Sequence, residues 1–217
     1  MSEAAERWGE DYDSSYDDRR GRLVRARLAT ALELLGDGPG RVLDAGMGGG
    51  RLVERLASRG WTVSGVDVSE SMVDLARRRV PMLADSLVAA PIEALPFQDG
   101  SFDAVAALGV LEFTDDLPAV LGELTRVLRD DGLAVVSWPS FKGLYAAWRG
   151  GVLYRVARAL GRPAPPPAPN PHGVEQFTVL LRDAGLATER AVLLGPRGGV
   201  VSSPLLAAQI VVAARNR

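Results

Sequence analysis

Asp44, Gly46, Gly48 and Asp67 are the residues of this 217-residue chain whose types and spacing best suit ligand chemistry. The first three fall in "VLDAGMGGG" at 42–50, where four glycines fill five positions after a short apolar run ending in aspartate. A strand that feeds a helix through glycines lets backbone N–H groups approach a ligand, because no Cβ stands in the way. Dinucleotide sites space such glycines G-x-G-x-x-G. Here Gly46 and Gly48 match the first two positions, Arg51 holds the third, and Gly50 makes the pattern G-x-G-x-G. No Gly-Lys-Ser/Thr follows, which excludes a P-loop. Asp67 lies 21 residues beyond Gly46, at the end of the next strand-like run. An ionised acceptor there reaches two ribose hydroxyls, each bond worth about 1.5–3 kcal/mol at best. An aspartate in that place also starts a helix well, so the pairing with the glycine turn carries the ligand reading.

Other candidates have two readings each. His172, the only histidine, titrates near neutrality in its ordinary state and is either a proton carrier or a cap or substrate contact. Glu112 is an acid candidate or a loop carboxylate. Trp138, at a strand end, is a core aromatic or a stacking platform. Arg155, Arg158 and Arg162 recur at helical spacing opposite Val152, Val156 and Leu160. They form the solvated face of a helix or a grip on a carboxylate or phosphate. Glu10, Asp11, Asp13, Asp17 and Asp18 read as helix-entry charge or local disorder. No metal is expected: the chain has no cysteine and one histidine, which leaves only carboxylate chemistry for magnesium.

These residues need a frame. Val24, Leu28, Ala31, Leu32 and Leu35 recur at helical spacing over Arg19–Leu35, ended by Gly36. "RVLDAG", "WTVSGVD", "SLVAA", "FDAVAAL" and "LAVVSW" read as strands. Between them, "GRLVERLASRG", "SESMVDLARRR" and "DDLPAVLGELTRVLR" read as helices, the last followed by a turn at "DDG". Alternation with nearly all-apolar strands predicts a parallel α/β sheet covered on both faces. "TVLLRDAGL" is a helix, and "TERAVLLG" and "LLAAQIVVAAR" form a closing antiparallel hairpin, making seven strands. The expected organisation is one domain over 1–217, with a cap segment at 1–36 and a cofactor-binding core at 40–138. A lid insertion follows strand five at 139–172, with six prolines between 163 and 171, and then a C-terminal helix and hairpin at 173–217. An insertion past the carboxyl end of a strand lies where open α/β sheets bind ligands.

A net charge of −2 gives no general pull toward nucleic acid or anionic membrane. The acidic start "MSEAAERWGEDYDSSYDD" has no apolar signal region, and "LLAAQIVVAA" at 205–214 is too short to span a bilayer. A cytoplasmic protein without nucleic-acid or membrane partners is expected; oligomeric state leaves no trace in the sequence.

"VLDAGMGGGRLVERLASRGWTVSGVDVSESMVDLAR", "APIEALPFQDGSFDAVAALGVLEF" and "ELTRVLRDDGLAVVSW" together resemble the nucleotide-binding half of class I S-adenosylmethionine-dependent methyltransferases, over about residues 40–138. "RWGEDYDSSY" resembles the lead-in of the small-molecule branch, which includes quinone and natural-product enzymes. The resemblance implies a Rossmann-like sheet, S-adenosyl-L-methionine as cofactor, and methyl transfer to a small-molecule acceptor by in-line displacement. It implies that Gly46 and Gly48 lie against the methionine part, with backbone from Ala45 and Met47, and that Asp44 orients the loop or meets the amino group through water. Asp67 would take the ribose hydroxyls, Val68 and Met72 flank the adenine, and Ile92 cover it. Leu108 would offer its carbonyl to the amino group, and Tyr12 or Tyr16 fold over the sulfonium. The chain departs from the family at Pro91, where an aspartate is usual, so the adenine amino group loses an expected side-chain acceptor unless Glu93 or Asp85 substitutes. It departs again at Phe113, where "LEF" replaces "LEH" and suggests an apolar acceptor surface, shared with Trp138 and His172. No catalytic residue is assigned. Two alternatives stay open: a cofactor-binding protein without transfer activity, and an NAD-dependent oxidoreductase, which Arg51 disfavours. Gly46→Val is expected to block cofactor binding with the fold largely kept.

Overall fold

The computed structural model describes residues 21–140, 174–203 and 207–217. Their elements run α1 (Arg22–Leu35), β1 (Arg41–Ala45), α2 (Arg51–Ala57), β2 (Thr62–Asp67), α3 (Glu70–Arg79), β3 (Leu87–Ala89), β4 (Phe102–Ala107), α4 (Leu117–Val127), β5 (Leu128–Pro139), α5 (Val174–Asp183), β6 (Leu186–Leu194) and β7 (Gln209–Asn216). The seven strands form one sheet in the order β3-β2-β1-β4-β5-β7-β6. β3, β2, β1, β4 and β5 pair in parallel, and β7 lies antiparallel between β5 and β6. The expected mostly parallel sheet with an antiparallel C-terminal hairpin is therefore present. Strand order reverses beside β1, so the loops leaving β1 and β4 diverge and open a crevice at the carboxyl edge.

Alternation along each strand sends apolar side chains to both faces. Leu28, Leu32, Leu52, Leu56 and Val73 pack α1, α2 and α3 onto one face, together with Val42 and Val63. Leu121, Leu124, Phe177 and Leu181 pack α4 and α5 onto the other, together with Leu43, Ala45 and Val66. The period of two puts Asp44 on the same face as Val42, and Asp67 on the same face as Val63. Both acids point to the α1 side. Ser69 caps α3 by accepting the Met72 N–H, and Asp116 caps α4 by accepting the Ala119 N–H.

One stretch departs from expectation. α4 stops at Val127, because Leu128 already pairs with Phe102. The "DDG" turn is a bulge inside β5: the register passes from Phe102↔Leu128 to Ala104↔Leu133, and Asp131 takes a φ of 58°. The Arg215 guanidinium donates to the Asp131 carbonyl at 2.9 Å and holds the bulge from β7. Asn216 donates to the carbonyls of Thr125, Leu128 and Arg129 at 3.2–3.3 Å, locking the end of β7 to the α4–β5 joint.

Trp138 is a core aromatic. It is fully buried and stacks on Phe177, with ring centroids 4.7 Å apart and planes 14° apart. It binds α5 to β5 rather than offering a platform to a ligand. Trp138→Ala is expected to cost about 3–5 kcal/mol in urea unfolding; a loss below about 1 kcal/mol would show that α5 docks without it. Among the described residues no helix is long and apolar enough to cross a membrane.

Candidate active site

The glycine turn is built by β2. The N–H groups of Gly46 and Met47 both donate to the Val66 carbonyl, at 2.8 and 2.9 Å. One residue further, Asp67 bridges two loops: one carboxylate oxygen accepts the Gly48 N–H at 2.8 Å, the other the Ser69 N–H at 3.0 Å. Burial raises the Asp67 pKa, opposed by the N–H donors of Ser69, Gly48 and Val68. Three N–H donors on about four acceptor sites leave the carboxylate room for one further donor, such as a hydroxyl.

The glycines divide the work. A Cβ on Gly46, whose φ is 79°, would stand 2.7 Å from the Val110 side chain in the loop after β4. Gly46→Val therefore disturbs the fold as well as any ligand, which corrects the expectation that it leaves the fold largely intact. Gly48, with a φ of 52°, would carry a Cβ that meets nothing within 4 Å among the described residues. Gly50 lets the start of α2 approach α3, since a Cβ there would lie 2.8 Å from that of Ala76. The Arg79 guanidinium donates to the Gly49 carbonyl. Met47 is buried beneath the turn, with its sulfur where a side chain on Gly65 would stand.

Asp44 is the strongest electrostatic feature. It is 2% exposed, and its Oδ2 has no hydrogen-bond partner. Burial pushes its pKa up to about 7; the negative charge of Asp67 adds to this, and Arg27 of α1 opposes it. A buried carboxylate oxygen without a donor is costly unless a ligand supplies one.

The remaining expected residues scatter around this centre. Val68 is exposed at the crevice, while Met72 is buried behind it. The Ala90 N–H donates to the Asp67 carbonyl at 3.0 Å, hanging the segment after β3 beside the acid. Ile92 is buried with Leu95 in the core cluster on the α4 side of the sheet. Glu93 and Asp85 are exposed. Leu108 and Phe113 are half-buried in the loop after β4, and Glu112 between them is buried. Tyr12, Tyr16, His172, Arg155, Arg158, Arg162 and the N-terminal acids lie outside the described residues, as does the expected lid beyond Ser140.

Sequence reasoning missed two groups. One is Arg27, buried on α1. The other is a clamp on the 95–99 loop, whose only local signal is an acid and a base three apart on α4. Arg126 donates to the carbonyls of Leu95 and Phe97 and to Asp99, and pairs with Glu123, which accepts the Leu95 N–H at 2.7 Å. Hydrogen bonding from Arg126 holds the Glu123 carboxyl below its usual range. The clamp's stability is therefore present above the ordinary value of 4.5 and lost as pH falls through the lowered folded value. Arg126→Met is expected to cost about 1–3 kcal/mol and to flatten that acid limb. Urea titrations at pH 3 and pH 7 check both, and an unchanged limb would place the acid sensitivity elsewhere.

The glycine turn and the two acids thus meet at the topological switch point of a mostly parallel α/β sheet, where open sheets of this kind bind ligands. A methyltransferase domain model matches residues 43–136. The demethylmenaquinone methyltransferase of Beutenbergia cavernae is 34% identical over 179 residues, covering 79% of this chain and 71% of that protein. The malonyl-[acyl-carrier protein] O-methyltransferase of Geobacter sulfurreducens is 35% identical over 161 residues, and the match covers 71% of this chain but only 59% of that protein. In fold, the chain superposes on an S-adenosylmethionine-dependent methyltransferase of Thermotoga maritima with a TM-score of 0.73 at 22% identity, covering 98% and 97% of the two chains. The chain belongs to the class I S-adenosylmethionine-dependent methyltransferase family.

Proposed function

We propose that this chain transfers a methyl group from S-adenosylmethionine to a small acceptor with an apolar, aromatic surface. The observation that carries the reading is the unpartnered Asp44 Oδ2 beside Asp67, with Gly48 opening into space between the two loops. That arrangement suits a ribose-bearing cation. S-adenosylmethionine, when bound, supplies a methyl carbon already activated by positive sulfur. Asp67 orients the ribose hydroxyls, and Asp44 with the Leu108 carbonyl faces the amino group. Val68, Met72 and the backbone at Ile92 and Glu93 border the adenine, while Ala45, Gly46 and Met47 contribute backbone to the turn. Tyr12 and Tyr16 are assigned to the sulfonium, and His172 to the acceptor side, by family resemblance alone. For the chain the task is alignment and exclusion of water.

The two relatives bring two acceptor classes, a quinone ring and a carboxyl on a carrier-bound acyl group. Phe113, partly exposed just after β4, favours the ring. The same reading places the reaction in the cytoplasm, with neither nucleic acid nor membrane as partner, in keeping with the net charge of −2.

Calorimetry with S-adenosylhomocysteine tests the first half, and label transfer from methyl-tritiated donor to hydroquinones and to acyl-thioester carboxylates tests the second. Binding with label on the ring acceptors is expected. Binding with no transfer to any acceptor would leave a cofactor-binding protein without activity, and no binding would end the reading.

A further inference from the structure

Ser137 is the one hydroxyl in the apolar run Ala134–Trp138 of β5, and it is fully buried. A hydroxyl in an apolar layer is costly unless it is hydrogen-bonded. Its partner comes from another strand's end: Ser137 Oγ accepts the Gly109 N–H, in the loop after β4, at 2.8 Å. This is where the β4–β5 ladder stops. The parallel register ends at Ala107↔Val136, so Leu108 and Gly109 leave the sheet beside Ser137. A side chain thus takes up a backbone donor just where backbone pairing runs out.

Other contacts fix the same turn. Gly109 has a φ of 72°, and the Arg27 guanidinium of α1 fills the place of a side chain there, with Nη2 and Cζ 2.6 and 2.7 Å from a Cβ. Val110 abuts the glycine turn, since a Cβ on Gly46 would stand 2.7 Å from it. The Ser137 backbone is held in turn by the β5–β7 ladder, opposite Val211.

We infer that Ser137 is a positioning residue for the methyl donor: its hydroxyl fixes the peptide plane that presents the Leu108 carbonyl to the donor's amino group. The inference rests on the donor-site reading above. The Leu108–Gly109 peptide is trans, so its N–H and its C=O point to opposite sides of the chain. β4 lies between β5 and β1 in the sheet. With the Gly109 N–H aimed at β5, the Leu108 carbonyl is aimed away from β5, toward the β1 side, where Asp44 pairs with Ala106 and Gly46 follows. A carbonyl already held in that plane meets an ammonium without first giving up rotation. Removing the hydroxyl leaves the Gly109 N–H without its acceptor, and any turn of the plane toward another acceptor takes the carbonyl off the donor. Because Ser137 acts through that carbonyl, its effect is confined to ligands that carry the amino-acid end.

The test measures calorimetric affinity for S-adenosylhomocysteine and for methylthioadenosine, which keeps the nucleoside and lacks the amino-acid end. The proteins are the full chain and its Ser137→Ala, Ser137→Thr and Ser137→Val variants, with circular dichroism and urea unfolding giving the folded fraction of each. Threonine and valine match in shape and differ in the hydroxyl. The expected result is a loss of about fivefold or more in S-adenosylhomocysteine affinity for S137A and S137V, with S137T close to wild type. Methylthioadenosine affinity is expected to be alike in every protein. Where methylthioadenosine binds too weakly to measure, the threonine–valine difference on S-adenosylhomocysteine decides alone. Should the two larger side chains prevent folding, S137A decides through the ratio of its two affinities. Unchanged S-adenosylhomocysteine affinity in S137A, equal losses on both ligands, or a threonine variant as weak as the valine one overturns the inference. Absence of S-adenosylhomocysteine binding by wild type overturns the donor-site reading instead.

Discussion

Replacing Gly48 with leucine is expected to weaken S-adenosylhomocysteine binding at least about a hundredfold, roughly 2.7 kcal/mol, in a protein that still folds. The position explains both halves. A Cβ at Gly48 meets no atom of the described residues within 4 Å, so the new side chain projects away from the packed core. The backbone there has a φ of 52°, which costs a side-chain-bearing residue about 1–2 kcal/mol of stability. Gly50→Ala should split the other way. Its methyl would meet Ala76 at 2.8 Å and push α2 from α3, costing about 1–3 kcal/mol while the folded fraction binds as before. Calorimetry and urea unfolding on the two variants separate ligand contact from helix packing. Wild-type affinity in Gly48→Leu would remove the ligand from the turn altogether.

Asp44→Asn is expected to make the ligand-free protein more stable and to weaken the donor site at the same time. The folded pKa of about 7 lies above the ordinary 3.8, so folding favours the protonated carboxyl. That contribution is full below about pH 4 and lost as pH rises through 7. At pH 8 the ionised, unpartnered carboxylate costs on the order of 3 kcal/mol, which an uncharged amide of the same shape avoids. Wild type should therefore lose stability between pH 5 and pH 8 by more than D44N does. Saturating S-adenosylhomocysteine should restore wild type at pH 8 but help D44N at least about tenfold less in concentration terms. Equal pH slopes in the two proteins, read by urea midpoints, would show that Asp44 is solvated or paired when ligand is absent.

How far the sequence reached follows from how far each signal extends along the chain. The glycine turn, Asp67 and the Ser69 cap are local patterns of type and spacing, and all three sit where the pattern put them. The alternation of apolar strands with amphipathic helices likewise carries the layer order. Arg27 was invisible because nothing near it in sequence marks its partners; α1 crosses the sheet before the guanidinium meets Gly109. The Glu123–Arg126 pair reads locally as a helix-surface ion pair, and only the returning 95–99 loop makes it a clamp. At "DDG" the turn chemistry was legible but its setting was not. Pairing of Leu128 with Phe102 overrode helix propensity and absorbed the turn into a strand. Trp138 could have been rim or core from its place at a strand end, and Phe177, 39 positions later, decides it.

β7 follows the other six described strands in sequence, yet it lies inside the sheet between β5 and β6. During synthesis the parallel half from β3 to β5 can assemble early, but β5 then presents a bare edge along Ala134–Trp138, nearly all of it apolar. That edge closes only when residues 209–216 have emerged and threaded in. For that interval the nascent chain carries an adhesive flank of the kind that pairs with neighbouring chains. Deletion of residues 209–216 would leave that flank of β5 open. Yield after such a deletion should thus fall through aggregation, although the glycine turn and Asp67 are untouched.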